Sequence, residues 1–175
     1  TQSIECSDDQ PYYSTNKVEW FYDSDEEVFT LMCVVDMIRR NSKNSIINLR
    51  VPYLPNARMD RIKNSKQNFS LKVFANFINS LDFGCVMTYN VHSNVSEALI
   101  NNIFNMDPNS DVGAVISKYK PDVIYFPDEG ACKRYADLAC IKNYDLPVIF
   151  GIKKRDFVTG KILGLDVVSD IDLTG

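Results

Sequence analysis

Apolar residues recur at two spacings along the chain, and these spacings predict alternating strands and helices. Short apolar runs of the kind found in buried strands occupy residues 46–51, 85–91, 123–126 and 148–152. Apolar residues spaced three and four apart predict helices over residues 70–81, 93–104, 112–119 and 133–142. A further helix is predicted to begin at Ser24, because Ser24 and Glu27 have the spacing of a capping box. Residues 3–22 predict a hairpin or short strands.

This order of elements indicates the fold class and a division of the chain. Strands that alternate with helices imply an α/β fold with a mostly parallel sheet flanked by helices. The composition turns to Asp, Pro, Asn and Ser at residues 107–111, so we predict two domains, residues 1–107 and 108–175. In such sheets ligands bind beyond the carboxyl ends of the strands. Polar residues that follow the predicted strands are therefore candidates for a functional site.

Composition and charge narrow the possible classes of function. The 175 residues are 45% hydrophobic and 24% charged, which is typical of a globular protein. The net charge is −4 and the basic residues are scattered, which argues against binding to nucleic acid. No apolar run is long enough to span a bilayer, so no membrane partner is expected. The five cysteines form no CxxC pair, which predicts reduced thiols in a cytoplasmic protein.

Charged residues follow each of the four predicted strands, and together they form the candidate site. They are Arg58 and Arg61, then His92, then Asp128, and last the basic group Lys153, Lys154 and Arg155. Pro52 and Pro55 stiffen the first of these loops, so its guanidinium groups are held ready to bind phosphate or stack on a purine. A carboxylate at a strand end can bind hydrated magnesium. Cations beside a closing loop at residues 156–161 can stabilise a transferring phosphoryl group.

Each of these candidates also has an ordinary structural interpretation. Arg58 can simply be compensated by Asp60, and a lone histidine such as His92 is often a hydrogen-bonded structural residue. Asp128 or Glu129 can cap the helix that follows, because carboxylates favour that position. The basic group can be a solvated turn. Only the convergence of these residues on one edge of the sheet favours a function.

Taken in order, these segments resemble the ribose-phosphate pyrophosphokinases, which are also called phosphoribosyl pyrophosphate synthetases. The similarity runs from about Ile4 to Gly175 and is most specific in VPYLPNARMDR, TYNVHS and FPDEGACKRYADLA, with KKR downstream. The resemblance implies two related domains of the phosphoribosyltransferase type, the second of them incomplete. The family's sugar-phosphate loop is expected directly after Gly175, so the chain is interpreted as a fragment that would be inactive alone. A naturally short relative is the alternative, and it would not be expected to catalyse the reaction alone either.

The resemblance also implies roles for individual residues. The positions that it assigns to ATP are Asp8, Asp9 and Gln10, which hold the adenine of a neighbouring subunit, and Arg58, Met59 and Asp60. His92 and Asp128 match the two magnesium-associated positions, and Asp128 also lies where ribose 5-phosphate binds. Lys153 matches the catalytic lysine, and Arg155 matches the arginine that holds ribose 5-phosphate or the transition state. The chain departs from the family at Met59, where glutamine is usual, and at Asn90, where aspartate is usual.

The function implied by this resemblance is transfer of pyrophosphate from magnesium–ATP to ribose 5-phosphate, giving phosphoribosyl pyrophosphate and AMP. Magnesium would be the cofactor, and a homo-oligomer would share its ATP sites between subunits. Two other functions stay open: a non-catalytic homologue that regulates active subunits, which Met59 and Asn90 favour, and a phosphoribosyltransferase. ATP binding separates the last of these from the other two.

Overall fold

The computed structural model describes residues 15–62, 64–156, 159, 161–169 and 171. The chain forms two compact units, residues 1–107 and residues 108–175. That the two units are related domains of one type stays a proposal.

The first unit is a four-stranded parallel sheet with a helix between each pair of successive strands. Its strands are β1 (Thr15–Glu19), β2 (Ile46–Arg50), β3 (Cys85–Tyr89) and β4 (Ile103–Met106), and they pair in the order β1-β2-β3-β4. Its helices are α1 (Glu27–Asn41), α2 (Ser70–Ser80) and α3 (Val95–Leu99). All four strands therefore present their carboxyl ends at the same edge of the sheet.

The core of this unit forms between the sheet and its helices. Burial alternates along β2, as expected for a strand with one face on the core, and Leu49 of that strand is fully buried. Leu71, Phe74, Ala75 and Ile78 of α2 are buried at the spacing of one helix face. This packing fixes the position of the loops at the carboxyl edge.

The second unit has a three-stranded sheet. Its strands are β5 (Ile124–Phe126), β6 (Val148–Arg155) and β7 (Ile162–Val168); β5 and β6 are parallel, and β6 and β7 are antiparallel. Its helices are α4 (Asn109–Tyr119), α5 (Glu129–Tyr135) and α6 (Ala139–Tyr144). Ile116, Phe126, Cys140 and Ile141 form its buried cluster. Within the described residues, fewer hydrophobic side chains are buried in this unit than in the first.

Two of the predicted helices were wrong in extent. The predicted helix over residues 93–104 is the five-residue α3 followed by strand β4. Asn102 has a left-handed backbone conformation (φ 52°), and a right-handed helix does not continue through such a residue. The residues that follow it pair with β3 instead. The predicted helix over residues 133–142 is two helices, because Leu138 has an extended backbone between them. The side chain of Asn109 accepts a hydrogen bond from Cys140 N (2.9 Å) and so supports the start of α6.

The predicted capping box at Ser24 was also wrong. Helix α1 begins at Glu27, and no side chain caps it. The Glu27 carboxylate instead accepts hydrogen bonds from the Asp23 backbone N–H (3.0 Å) and from Trp20 Nε1 (2.9 Å). These bonds lower the pKa of Glu27, the one from Asp23 most. Of the predicted N-terminal hairpin, the described part is β1, which pairs in parallel with β2.

Candidate functional site

The loop after β2 is anchored by buried side chains and presents its other side chains to solvent. Leu54, Pro55 and Ala57 are buried, whereas Tyr53 and Arg58 are exposed. Backbone hydrogen bonds from Ala57 N to Leu54 O (3.4 Å) and from Met59 N to Asn56 O (2.9 Å) close successive turns. The loop is therefore ordered by its own turns and by the core.

Arg58 is not compensated by Asp60, contrary to the ordinary interpretation of its spacing. Asp60 lies beside Arg61 instead, with Oδ1 3.4 Å from Arg61 Nε. No hydrogen bond or ion pair joins Arg58 to another residue that the structure describes. Met59 beside it is about half exposed (48%). Among the described residues, therefore, nothing neutralises the Arg58 guanidinium at the carboxyl edge of the first sheet.

An aromatic contact, which sequence reasoning missed, joins the segments that follow β1 and β2. The rings of Tyr22 and Tyr53 are stacked, with centroids 6.4 Å apart and an interplanar angle of 27°. Tyr22 donates a hydrogen bond to Asp25 Oδ1 (2.7 Å), and this bond raises the pKa of the tyrosine. The loop that carries Arg58 is therefore held at Tyr53 as well as through its buried residues.

His92 follows β3 at the same edge of the first sheet, and its side chain is exposed. The segment that carries it is tied to β4 by Asn105, whose Oδ1 accepts a hydrogen bond from Val91 N (3.1 Å). Asn105 Nδ2 in turn donates to Glu97 Oε1 (2.8 Å) in helix α3. Sequence reasoning missed Asn105, because the pattern around it predicted neither a strand nor a turn.

Asp128 follows β5 in the second unit and caps helix α5. Its Oδ1 accepts a hydrogen bond from Ala131 N (2.8 Å), so the capping interpretation is correct for this residue. Glu129, the other candidate for the cap, instead pairs with Lys133 at 2.8 Å. The second carboxylate oxygen of Asp128 is left for another partner.

That partner is Lys153. Lys153 Nζ lies 2.6 Å from Asp128 Oδ2, and the two side chains are 29% and 35% exposed. The Lys153 ammonium is the main cause that lowers the pKa of Asp128, with the Ala131 N–H second, while partial burial opposes both. The structure thus brings together one predicted carboxylate and one predicted cation.

The basic group was predicted to follow a strand and instead belongs to one. Strand β6 continues to Arg155 because β7 pairs beside it, with Lys153 opposite Leu165. Lys154 pairs with Asp166 at 2.6 Å, so its charge is compensated across the hairpin. The side chain of Arg155, and Asp8, Asp9 and Gln10, lie outside the described residues.

The donor atoms can be compared with what magnesium requires. No group of three or more histidine, cysteine, aspartate or glutamate side chains gathers within the described parts of the chain. Magnesium that arrives with ATP needs only one or two protein carboxylates, because phosphate oxygens and water complete its shell. Asp128 fits this limited role through Oδ2, which Lys153 contacts in the structure.

Sequence comparison relates the chain to known enzymes. It is 28% identical over 152 residues to ribose-phosphate pyrophosphokinase A of Dictyostelium discoideum, covering 85% of this chain and 48% of that protein. It is 26% identical over 140 residues to the ribose-phosphate pyrophosphokinase of Campylobacter jejuni, covering 76% of this chain and 43% of that protein. The chain spans about half the length of these relatives. No protein-family model matches it.

Structural comparison supports the fold. The phosphoribosylpyrophosphate synthetase of Mycobacterium smegmatis matches with a TM-score of 0.71 and 17% sequence identity, over 89% of this chain and 50% of that one. The predicted fold class, a mostly parallel sheet flanked by helices and phosphoribosyltransferase-like, is confirmed. None of the described helices has the length and apolar character needed to cross a membrane.

Proposed function

From the resemblance of this chain to ribose-phosphate pyrophosphokinases over about half of their length, we propose that the full-length protein transfers pyrophosphate from magnesium–ATP to ribose 5-phosphate. The 1-hydroxyl oxygen of the sugar forms a bond to the β-phosphorus of ATP. The bond from the β-phosphorus to the oxygen that bridges it to the α-phosphorus breaks, and AMP leaves with that oxygen. The hydroxyl proton is released, and the products are phosphoribosyl pyrophosphate and AMP.

The observation that carries this proposal is the contact between Asp128 and Lys153. A half-buried carboxylate and a half-buried ammonium lie together at the carboxyl end of a parallel strand, where α/β sheets bind ligands. Water screens such a site less than an open surface, so the Lys153 ammonium would act more strongly on a phosphate there once it is not neutralised by Asp128. In this proposal Lys153 stabilises the charge on the transferring group, and Arg155 helps to hold ribose 5-phosphate.

The first unit would contribute the nucleotide contacts. Arg58 is exposed and uncompensated within the described residues, so its guanidinium can fork onto phosphate oxygens or stack on adenine. Met59 and Asp60 would lie beside the nucleotide. Asp8, Asp9 and Gln10 would hold the adenine of a neighbouring subunit, which makes a homo-oligomer part of the proposal.

We assign His92 of the first unit and Asp128 of the second each a role with magnesium, whose shell the phosphates of ATP would complete. When bound, it would neutralise phosphate charge and so favour attack on the β-phosphorus. His92 is exposed on an ordered segment, and Asp128 can offer one carboxylate oxygen. The proposed roles of His92 and Asp128 belong to the same reaction as the proposed role of Lys153.

Release of AMP from ATP in the presence of magnesium and ribose 5-phosphate tests the proposal on the full-length protein. AMP formed in equal amount to phosphoribosyl pyrophosphate is the expected result. ATP binding without AMP release would instead favour the non-catalytic regulatory homologue, for which the half-exposed Met59 in place of glutamine is the specific observation. Absence of ATP binding would contradict both functions and would leave the phosphoribosyltransferase.

A further inference from the structure

The two carboxylate oxygens of Asp128 accept hydrogen bonds from different donors in the structure. Oδ1 accepts from Ala131 N and so belongs to the start of helix α5. Oδ2 accepts from Lys153 Nζ at 2.6 Å. A divalent cation that approaches Asp128 therefore meets one oxygen committed to the backbone and one oxygen covered by an ammonium. Only Oδ2 can be freed without undoing the helix cap.

We propose that Oδ2 of Asp128 is a single position for which the Lys153 ammonium and a divalent cation compete, so that the cation releases Lys153 as it binds. This inference rests on the proposed function, in which Asp128 is associated with the metal and Lys153 acts on the phosphoryl group. It adds that binding of the cation to Asp128 and release of the Lys153 side chain are linked, which neither proposed role states by itself. The lysine would be held on Asp128 until the cation is present.

The backbone around the pair limits what has to move. Lys153 lies in β6 opposite Leu165, paired with β7 on one side, so its main chain is held by the sheet. Asp128 is held by its own helix cap. Exchange therefore requires only that the long, flexible Lys153 side chain turns away from Oδ2. No closing movement of the strand is needed.

The neighbouring ion pair gives a matched comparison. Lys154 Nζ lies 2.6 Å from Asp166 Oδ2, the same separation as in the Lys153 pair, but its side chains are 61% and 55% exposed. Successive residues of a strand point to opposite faces of the sheet. Replacing Lys154 therefore removes the same charge from the adjacent position without uncovering Asp128. A general effect of net charge would appear in both variants, whereas competition for Oδ2 would appear in one.

The test measures binding of Mn²⁺ to the full-length protein by water proton relaxation near physiological salt, with AMP present at a fixed concentration so that its phosphate can help to complete the metal's shell. Lys153→Met is expected to tighten Mn²⁺ binding by about two- to fivefold, the range that corresponds to losing one partly exposed ion pair. Lys154→Met is expected to change the affinity for Mn²⁺ by less than half as much, because salt screens a charge that lies farther from Asp128. Asp128→Asn is expected to abolish the site while keeping a capping side chain, since asparagine is also a good N-cap.

A second measurement follows Lys153 directly. In the presence of AMP, saturating Mg²⁺ is expected to raise the rate at which an acetylating reagent labels Lys153, measured by mass spectrometry, and to leave labelling of Lys154 unchanged. Equal tightening by the two lysine variants, or Lys153 labelling that ignores Mg²⁺, would overturn the competition while the metal role of Asp128 stood. Mn²⁺ binding that survives Asp128→Asn would overturn the metal role itself, and the competition with it. Pyrophosphoryl transfer would still be judged separately by AMP release.

Discussion

The Lys153 ammonium lies 2.6 Å from the Asp128 carboxylate and so joins strand β6 to the turn that follows β5. If Lys153 stabilises the transferring group, Lys153→Ala should lower kcat by on the order of 10²–10³, as loss of one preorganised donor does in other enzymes. Lys154→Ala should lower it by less than about threefold, because Lys154 pairs with Asp166 and has no proposed role in the site. AMP release under saturating substrates checks both, and equal losses in the two variants would remove the assigned role of Lys153.

The pair of Asp128 and Lys153 also predicts how the stability of the folded protein depends on pH. Lys153 lowers the pKa of Asp128 in the folded protein, so the ionised carboxylate contributes stability above its unfolded pKa and loses that contribution as the pH falls through the folded pKa. Lys153→Met should therefore raise the pKa of Asp128 towards its ordinary value, which a carboxyl NMR titration measures. The difference in Tm between the two proteins should be largest near neutral pH and should shrink in strong acid. A difference that grew on acidification would contradict the assignment.

Asn105 is predicted to position the segment that carries His92. Asn105→Ala removes the acceptor of Val91 N and the donor to Glu97, and should lower the free energy of unfolding by about 1–2 kcal/mol. It should also weaken binding of magnesium–ATP, because His92 would no longer be held in place. Asn94→Ala is the control, since Asn94 is exposed and makes no side-chain cap of α3. Calorimetric titration with magnesium–ATP and thermal unfolding measure the two effects, and an Asn105 variant with unchanged affinity would contradict the positioning role.

The elements that could be predicted from sequence are those whose pattern is complete within one segment. Helix α2 carries four buried residues at helical spacing and begins at the predicted residue, Ser70. Strands β2 and β3 were found within two residues of their ends. The alternation of strands and helices was enough to predict mostly parallel pairing. The prediction that the four strand ends share one edge was wrong, because β2 and β3 lie in one sheet and β5 and β6 in another.

What could not be predicted depends on partners distant in the chain. Strand β4 is only four residues long and is a strand because it pairs with β3, whereas its sequence also suits the end of a helix. Likewise β6 reaches Arg155 only because β7 supplies the neighbouring ladder. At the site, spacing marked Asp128 and Lys153 as candidates but left their contact across 25 residues to be found in the structure. Asn105 and the stack of Tyr22 on Tyr53 depend on tertiary contacts of the same kind.

Leu71 tests the packing that fixes the carboxyl edge of the first sheet. It is fully buried in α2, and Leu71→Ala should lower the free energy of unfolding by about 2–5 kcal/mol through lost burial and the cavity left behind. Val73→Ala in the same helix should cost less than about 0.5 kcal/mol, because Val73 is 67% exposed and alanine favours a helix. Urea unfolding of the two variants gives the comparison. Similar losses would mean that α2 does not pack as described.

Gly151 allows the turn before Asp128 to lie close to strand β6. A Cβ atom at Gly151 would meet Leu165 Cδ1 at 2.8 Å, the Tyr125 hydroxyl oxygen at 2.9 Å and the Pro127 carbonyl oxygen at 3.0 Å. The first two atoms end flexible side chains and can move at low cost, whereas the third belongs to the backbone that leads into Asp128. Gly151→Ala should therefore displace this turn by a few tenths of an ångström and lower the free energy of unfolding by about 1–3 kcal/mol.

The displacement should also be visible at the ion pair. As Asp128 moves from Lys153, its pKa should rise towards the ordinary value, and a carboxyl NMR titration of Gly151→Ala would record the change. Gly164→Ala in β7 is the matched control, because no heavy atom lies within 4 Å of the Cβ position there. That variant should leave the pKa of Asp128 unchanged and should be neutral or slightly stabilising, since alanine restricts the unfolded chain more than glycine does. If both variants left the pKa of Asp128 where it is, the close approach at Gly151 would have no part in setting the geometry of the pair.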